Sequence, residues 1–313
     1  MILVAGAAGF VGSHLCDLLL KRGYSVVGID SLVSGSMLNL DSAFKSADFK
    51  FHQIDITEES SVEFLSGLSL SHVLNLASPA SPDDFSKIPE KILKVGSIGT
   101  LNLLDLAVKV GARYVLASSS EVYGDPEVHP QPESYRGSVD TTGPRSCYDE
   151  SKRFGEAAVT SYGRQFGLSH AVVRIFNTYG PRMQVDDGRV VSNFIHAALK
   201  SKPLVIYGTG NQTRSFCYVS DLVKGLVSVM EHQSDFVVNL GNPEEVPIVA
   251  LAEAVIRCVN SKSTIVLNPM PAGRLGDPSR RKPDISSATS LLGWKPEISL
   301  DQGLKLYLRV LNA

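Results

Sequence analysis

The sequence predicts an α/β protein with a doubly wound parallel β-sheet and a smaller C-terminal α/β lobe. The first observation is a series of apolar runs that alternate with helix-like stretches, as expected of strands covered on both faces. These runs lie near residues 1–5, 24–29, 71–77, 113–117 and 170–176, and a mixed run at 49–54 fits a further strand. The second observation is a glycine-rich turn between the first run and a helix-like stretch.

The glycine-rich turn indicates what the sheet binds. The apolar run at 1–5 leads directly into Gly6-x-x-Gly9-x-x-Gly12, and a helix is expected over about 10–22. Glycines at such a turn let the backbone approach a pyrophosphate, and the helix N-terminus that follows offers free N–H groups. The context therefore predicts a Rossmann-type dinucleotide site. The alternative interpretation is a glycine turn that binds no ligand.

Asp30 ends the second apolar run, where the second strand should deliver an acid to the adenosine ribose. A carboxylate at this place accepts hydrogen bonds from the ribose hydroxyls and repels a 2′-phosphate. The predicted cofactor is therefore NAD rather than NADP. A polar strand end without a ligand is the alternative interpretation of Asp30.

Further polar and small residues follow the other predicted strands. Because the carboxyl ends of parallel strands meet at one edge of the sheet, we expect these residues to share one crevice. At that edge the sequence places Gly6, Asp30, Asp55, Leu76, Ala77, Ser78, Ser118 to Glu121 and Asn177.

Tyr148 and Lys152 predict a redox site. They lie one helical turn apart, downstream of Ser118 to Glu121. A tyrosine is a poor base at neutral pH because its pKa is about 10, but a neighbouring ammonium and a nicotinamide cation both favour the phenolate. The spacing alone also arises by chance on surface helices, so the position in the chain carries the prediction.

The second half of the chain is richer in proline and glycine and predicts a smaller lobe over the cofactor domain. Helix-like stretches occur near 189–200, 220–232, 246–259 and 301–311. We predict a NAD-binding Rossmann domain over 1–176 and a smaller second lobe over 177–313, with some interleaving of segments. No flexible linker separates them, so they should fold as one unit.

Composition limits the possible functions. The net charge of −2 argues against a nucleic-acid-binding surface. The four cysteines show no paired spacing, so neither a disulfide framework nor a metal site is predicted. The sequence contains no apolar run of about 20 residues, so no membrane segment is expected. The expected location is the cytoplasm.

The sequence resembles the extended short-chain dehydrogenase/reductase family, and more narrowly the UDP-glucuronate decarboxylases, also called UDP-xylose synthases. The glycine turn and the Tyr-x-x-x-Lys pair are general to the superfamily, whereas several other blocks are specific to this branch. These blocks lie at residues 76–82, 120–126, 143–153, 174–182, 187–194, 212–214, 239–244 and 281–284. The resemblance spans nearly the whole chain.

The resemblance implies roles for individual residues. Tyr148 would be the base, Lys152 would hold the nicotinamide ribose, and Ser119 would bond the oxygen of sugar carbon 4. Glu121 and Arg281 would handle the sugar carboxylate and the proton that replaces it, although Arg281 lies in a basic stretch of a kind that is usually solvated. The expected NAD contacts are Gly6, Gly9, Phe10, Val11, Gly12, Asp30, Gly35, Asp55, Ile56, Leu76, Ala77, Ser78, Lys94, Ser118, Tyr148 and Lys152.

The resemblance also implies that the lobe over 177–313 is a nucleotide-sugar-binding lobe with a UDP-sugar site. It further implies a homodimer formed through helices that include the one bearing Tyr148. Candidate substrate contacts are Asn177, Arg189, Val190, Tyr207, Gln212 and Arg214, with Arg214 on the diphosphate. Core packing is an equal alternative for Val190 and Tyr207.

The implied reaction is the NAD-dependent decarboxylation of UDP-glucuronate to UDP-xylose through a 4-keto intermediate. Relatives that eliminate water usually carry Asp-Glu before Val-Tyr-Gly, whereas this chain has Ser120-Glu121. Another nucleotide-sugar 4,6-dehydratase or epimerase of the same family is the alternative enzyme. A dinucleotide-sensing regulator is the non-enzyme alternative, but such proteins often lose the tyrosine or the lysine.

Overall fold

A computed structural model describes residues 1–185, 188–271, 277–278 and 280–311. Its strands are β1 Ile2–Ala5, β2 Val26–Asp30, β3 Phe49–Gln53, β4 His72–Asn75, β5 Arg113–Ser119, β6 His170–Ile175, β7 Thr178–Tyr179, β8 Leu204–Tyr207, β9 Thr213–Ser215, β10 Cys217–Tyr218, β11 Phe236–Leu240, β12 Glu245–Pro247, β13 Ile265–Asn268 and β14 Arg280–Arg281. Its α-helices are α1 Phe10–Lys21, α2 Glu59–Glu63, α3 Asp84–Lys87, α4 Pro89–Lys94, α5 Thr100–Val110, α6 Ser146–Phe166, α7 Val190–Leu199, α8 Val219–Glu231, α9 Ile248–Val259, α10 Ser286–Leu292 and α11 Leu300–Leu311.

The central element is a seven-stranded parallel sheet with the order β11-β6-β5-β4-β1-β2-β3. Chain order reverses beside β1, which gives the crevice at the carboxyl edge where doubly wound folds bind their ligands. The predicted fold class, a Rossmann-type parallel sheet in an α/β protein, is confirmed.

The central strand β1 is apolar at every position because both faces of the sheet are covered there. Ile2 and Val4 of β1 join one buried cluster with α1 and α8, whereas Leu3 and Ala5 join the other with α5. Side chains alternate between faces along a strand, so a two-sided core requires apolar residues at successive positions.

Two strands differ from the sequence prediction. β5 continues through Ser118 and Ser119 because these residues pair with Arg174 and Ile175 of β6. The seventh strand, β11, comes from the C-terminal half and pairs with β6 at the sheet edge.

Three small sheets lie outside the central sheet, and their strands come from the C-terminal half. They have the orders β10-β7, β12-β9-β14 and β13-β8. β9 pairs with β14 and thereby sets Arg214 beside Arg281. Within the described ranges, no helix is both long and apolar enough to cross a bilayer.

Candidate active site

The glycine turn brings backbone segments into very close contact. A Cβ on Gly12 would lie 2.0 Å from the carbonyl oxygen of Gly6, and Gly6 itself adopts a φ of +80°. A side chain at either position would force the turn apart. Gly9 is the N-cap residue of α1 and has no side chain to cap the helix. The backbone amides of the first turn of α1 are therefore open to a ligand in the crevice. This backbone cradle fits a pyrophosphate.

Asp30 lies at the end of β2 against the same turn. Its Oδ2 accepts the amide of Ala8 at 3.0 Å, and its Oδ1 accepts the amide of Leu32 at 2.8 Å. Burial raises the pKa of Asp30, and these hydrogen bonds oppose the shift. A Cβ on Gly35 would lie 2.9 Å from the carboxylate, so the glycine leaves the carboxylate room.

Other predicted cofactor residues lie along the same edge but outside the main cavity. Asp55 accepts two hydrogen bonds from Thr57 and pairs with Lys91 at 3.3 Å, and these contacts outweigh burial and lower its pKa. Ile56 is buried under α5, where a Cβ on Gly99 would strike it at 2.6 Å. Lys94 instead forms an exposed ion pair with Glu90 at 2.6 Å, so its contact with NAD stays a prediction.

A cavity of about 570 Å³ lies between the carboxyl edge of the sheet and the C-terminal half. This volume is typical of small-molecule sites. The cavity brings together most of the predicted catalytic and substrate residues with part of the cofactor set. The predicted residues among its lining are Phe10, Val11, Leu76, Ser78, Ser118, Ser119, Glu121, Tyr148, Lys152, Asn177, Arg189, Val190, Tyr207, Gln212, Arg214 and Arg281. Ala77 is not one of the lining residues. Its backbone amide donates a hydrogen bond to Asn75 Oδ1 at 3.1 Å.

Tyr148 and Lys152 project from α6 into this cavity. The Lys152 Nζ lies 5.6 Å from the centre of the Tyr148 ring and donates a hydrogen bond to the carbonyl of Ala117 at 2.9 Å. Burial lowers the pKa of Lys152 to about 8. Burial raises the pKa of Tyr148 to about 12, a shift that its hydrogen bond with Ser119 opposes and the charge of Glu121 reinforces. The protein alone therefore keeps the phenol protonated at neutral pH.

Glu121 lies opposite this pair, between two arginines. Arg281 binds its carboxylate in a bidentate ion pair, with Nη2 2.9 Å from Oε2, and Arg145 Nη2 lies 2.7 Å from the same oxygen. Burial opposes ionisation, but the two guanidinium groups prevail and lower the pKa of Glu121 to about 2. Arg281 is only 3% exposed, and its Nε lacks a hydrogen-bond partner among the described residues.

Arg145 and Phe85 line the site, although the sequence assigned neither a role in it. Arg145 precedes α6 and also pairs with Asp277 at 2.5 Å. Phe85 stacks on Tyr148 with ring centres 5.0 Å apart, and the Arg145 guanidinium lies 5.3 Å from the centre of the Phe85 ring. The position of Arg145, three residues before Tyr148, was the available signal in the sequence.

The far side of the cavity is formed by α7 and the loops around β8 and β9. The Asn177 Nδ2 is buried without a hydrogen-bond partner in the described part of the chain, so it can donate to a ligand. Burial and the charge of Arg281 lower the pKa of Arg214 to about 10. Gln212 donates to the carbonyl of Tyr207 at 2.7 Å, which closes the turn between β8 and β9. Arg189 caps α7, and Val190 begins it.

Asp149 is a third carboxyl group near the arginines, and it is 6% exposed. Its Oδ1 has no hydrogen-bond partner among the described residues. Burial, reinforced by the charge of Glu121, raises its pKa to about 7. The described residues contain no cluster of three or more histidine, cysteine, aspartate or glutamate side chains that could hold a metal.

The sequence model of the NAD dependent epimerase/dehydratase family matches residues 2–241. The chain belongs to this family. Membership confirms the NAD dependence predicted from the glycine turn and Asp30.

Curated relatives within the family match nearly the whole chain. UDP-glucuronic acid decarboxylase 1 of Danio rerio is 48% identical over 303 residues, which cover 97% of this chain and 70% of the relative. UDP-glucuronic acid decarboxylase 3 of Arabidopsis thaliana is 48% identical over 306 residues, which cover 97% and 87%. The resemblance to UDP-glucuronate decarboxylases is thus confirmed.

Solved structures of UDP-sugar 4-epimerases have the same architecture. A UDP-glucose 4-epimerase of Thermotoga maritima, determined with UDP-glucose, has a TM-score of 0.91 at 30% identity, over 99% of this chain and 98% of the other. A UDP-glucuronic acid 4-epimerase of Bacillus cereus, determined with UDP-glucuronic acid and NAD, has a TM-score of 0.89 at 29% identity, over 99% and 98%.

Proposed function

We propose that the protein is a UDP-glucuronic acid decarboxylase, which converts UDP-glucuronic acid to UDP-xylose and carbon dioxide. The observation that carries the proposal is the pair of arginines, Arg145 and Arg281, that line the same cavity as Tyr148 and Lys152. The redox pair serves oxidation of a sugar hydroxyl, and the guanidinium groups serve a sugar with a carboxylate. The names of the curated relatives point to the same reaction.

NAD would be held by the glycine turn and Asp30, with Lys152 on the nicotinamide ribose. The turn that a Cβ on Gly12 would disrupt leaves space for the pyrophosphate, and the Asp30 carboxylate suits ribose hydroxyls and repels a 2′-phosphate. When bound, NAD accepts a hydride from sugar carbon 4 and later returns it, so no cofactor is consumed.

Tyr148 would remove the proton of the carbon 4 hydroxyl, while Ser119 donates a hydrogen bond to the same oxygen. Because burial raises the pKa of Tyr148 to about 12, positive charge must be added before the phenolate forms near neutral pH. The cationic nicotinamide would supply that charge, next to the Lys152 ammonium that is already in place.

Oxidation at carbon 4 places a ketone β to the sugar carboxylate. The bond from carbon 5 to the carboxyl carbon can then break, because its electron pair moves to the carbon 4 oxygen and gives an enolate. Ser119 and the protonated Tyr148 would bind that oxygen and stabilise its charge. Carbon 5 takes a proton, and return of the hydride completes UDP-xylose.

Glu121 is the proposed donor of the carbon 5 proton, and the substrate would prepare it for this task. In the free protein the two arginines keep Glu121 ionised. A sugar carboxylate that binds Arg281 brings a second negative charge beside Glu121 and takes part of the guanidinium attraction. Both effects raise the pKa of Glu121 and favour its protonated form.

The UDP part would lie along the opposite wall, with Arg214 on the diphosphate and Asn177, Arg189 and Gln212 on neighbouring polar groups. The unpartnered Asn177 Nδ2 supports this placement. Val190 and Tyr207 line the same wall and would pack against the nucleotide. These contacts fit a cofactor domain over 1–176 and a substrate lobe over 177–313. Strand β11 lies in the second of these segments but belongs to the central sheet.

The decisive experiment is incubation of the purified protein with UDP-glucuronic acid. Decarboxylation gives UDP-xylose and one equivalent of carbon dioxide. A 4-epimerase, as in the Bacillus cereus relative, would instead give the 4-epimer of UDP-glucuronic acid without carbon dioxide. Release of the epimer alone would refute the proposal.

We also propose a homodimer formed through the exposed face of α4 to α6. Leu93 of α4, Ile98 in the turn between α4 and α5, and Phe154 of α6 are 45%, 45% and 41% exposed. They form apolar area that a partner copy would cover. Sedimentation of wild type and Phe154→Glu tests this, and a monomeric wild type would refute it.

A cytoplasmic location is proposed as well, because the four cysteines are all unpaired, as reducing conditions allow.

A further inference from the structure

We infer that Glu156, paired with Arg174 behind the active site, is a positioning residue that holds Ser118 and supplies the negative charge facing the Lys152 ammonium. The inference rests on the proposed function, in which Lys152 acts as a cation. Glu156 would work through these neighbours without touching the substrate.

Glu156 is placed for this role by helix geometry. It follows Lys152 by one turn of α6 and Tyr148 by two turns, so the three side chains share one face of the helix. Its Oε1 accepts the Ser118 hydroxyl at 2.6 Å. Ser118 lies directly after Ala117, whose carbonyl accepts the Lys152 ammonium at 2.9 Å. The Glu156 carboxylate therefore contacts the end of β5 that holds Lys152.

Arg174 fixes the orientation of that carboxylate. Arg174 lies on β6. Its Nε donates to Glu156 Oε1 at 3.0 Å, and its Nη2 donates to Glu156 Oε2 at 2.7 Å. Arg174 Nη1 also donates to Tyr123 Oη at 3.0 Å and to the carbonyl of Glu133 at 2.9 Å. A bidentate pair with a tethered guanidinium leaves the carboxylate little freedom, so its distance from Lys152 is set by the fold.

The charge of Glu156 matters because Lys152 is buried. Burial disfavours the ammonium and lowers the pKa of Lys152 to about 8, whereas the Glu156 carboxylate on the same helix raises it. Among the residues that the structure describes, the other titratable or charged groups in contact with Lys152 or Glu156 are the Tyr148 phenol on α6 and Arg174 on β6. Arg174 reduces the effect of Glu156 without cancelling it, because Glu156 lies one turn from Lys152 on the same helix, whereas Arg174 lies on β6.

A purely structural ion pair would stabilise α6 on the sheet and leave the titration of Lys152 unchanged. The two roles are separated by Glu156→Gln, which keeps the size of the side chain and removes its charge. The protein is expressed with isotopically labelled lysine, and the Lys152 signal is assigned by its loss in Lys152→Arg. NMR titration of the ligand-free protein then follows the ionisation of Lys152 without any catalytic turnover.

The expected result is a fall of the Lys152 pKa by about one pH unit in Glu156→Gln, the lower end of the effect of one nearby charge. The alkaline limb of kcat for the UDP-glucuronic acid reaction should move to lower pH by the same amount, while KM changes less than twofold. The matched control is Glu231→Gln. Glu231 likewise accepts an arginine from another element, Arg22 at 3.1 Å, but lies on the exposed surface. This control should leave both titrations at their wild-type positions.

An unchanged Lys152 titration in folded Glu156→Gln would overturn the inference, as would a uniform loss of rate at every pH. If the single variant fails to fold, the double variant Glu156→Gln with Arg174→Gln replaces it, because this variant leaves no buried unpaired charge. The pKa of Lys152 is then measured in the double variant by the same NMR titration. A wild type that gives no UDP-xylose would refute the proposed function, whereas the titration of Lys152 can still be measured.

Discussion

Glu121 and Arg281 form a bidentate ion pair although 160 positions separate them in the sequence. The sequence assigned them separate tasks, one for the proton and one for the carboxylate. Their contact makes the two tasks dependent on each other, because whatever binds Arg281 changes the charge around Glu121. Arg145 shares Glu121 and adds a second positive charge to the pair.

The first prediction concerns Glu121→Gln. Turnover of UDP-glucuronic acid should fall by about 10²–10⁴-fold, because a positioned acid is lost. Affinity for UDP-glucuronic acid should stay equal or become tighter, because the variant removes a carboxylate that competes for Arg281. Steady-state kinetics and calorimetry measure the two quantities. Turnover within twofold of wild type would exclude Glu121 as the proton donor.

The second prediction concerns Arg281→Met. Affinity for UDP-glucuronic acid should fall at least about tenfold more than affinity for UDP-glucose, because only the first sugar has a carboxylate to pair. Arg214→Met is the matched control, since a diphosphate contact affects both ligands alike. Equal losses for the two ligands in Arg281→Met, measured by calorimetry, would remove Arg281 from the carboxylate site.

The third prediction concerns Tyr148→Phe. Oxidation at carbon 4 should slow by at least about 100-fold, because the phenol is the base. NAD binding and folding should persist, because the phenyl ring keeps the stack on Phe85 at 5.0 Å. Rapid mixing with UDP-glucuronic acid, monitored by nicotinamide absorbance, measures the step. Retention of more than about a tenth of the wild-type rate would show that another base acts.

The fourth prediction concerns Asp149 and the dependence of stability on pH. Because its folded pKa is raised to about 7, the folded protein keeps a proton that the unfolded chain releases near its ordinary value of 3.8. Asp149 therefore lowers the free energy of unfolding as pH rises between these two values, by at most about 1.4 kcal/mol per pH unit.

Asp149→Asn should remove this decline, so the variant gains stability relative to wild type between about pH 5 and about pH 7. Urea unfolding at both pH values measures it. Asp41→Asn, at an exposed carboxylate, should follow the wild-type dependence. A decline in Asp149→Asn as steep as that of wild type would contradict the prediction.

The fifth prediction concerns Gly12→Ala. The new methyl group would lie 2.0 Å from the carbonyl oxygen of Gly6, so the turn must move and NAD affinity should fall at least about tenfold. Gly67→Ala is the control, because no atom lies within 4 Å of its added Cβ. NAD titration by calorimetry compares the two variants. Wild-type affinity in Gly12→Ala would mean that the turn does not hold the pyrophosphate.

The sequence predicted the strands whose side chains are apolar throughout, because burial on both faces leaves a local pattern. It did not predict β11, whose place beside β6 depends on pairing between distant segments. The end of β5 was placed too early for the same reason. Ser118 and Ser119 are polar, and backbone pairing with β6 keeps them in the strand.

The site shows the same division between local and distant information. The glycine turn and the Tyr148–Lys152 spacing are local patterns, and the structure places both at the carboxyl edge. For Arg145 the local signal is only its place three residues before Tyr148, and its contacts with Glu121 and Asp277 depend on the fold. Lys91 of α4 pairs with Asp55, a contact between distant segments that no local pattern indicated. The contact of Lys94 with NAD stays a prediction.

The fully buried Gln131 ties the chain beside Arg281 to the rest of the protein. Its amide donates to the carbonyl of Lys282 at 2.9 Å, its Oε1 accepts the amide of Lys282 at 2.9 Å, and its carbonyl accepts the amide of Asp284 at 2.9 Å. The segment that carries the Arg281 guanidinium is thus ordered before any sugar binds. Binding of the ligand therefore loses no free energy to the ordering of this segment. Association with UDP-glucuronic acid should accordingly proceed in a single kinetic phase, without a slow rearrangement of residues 281–284 after encounter.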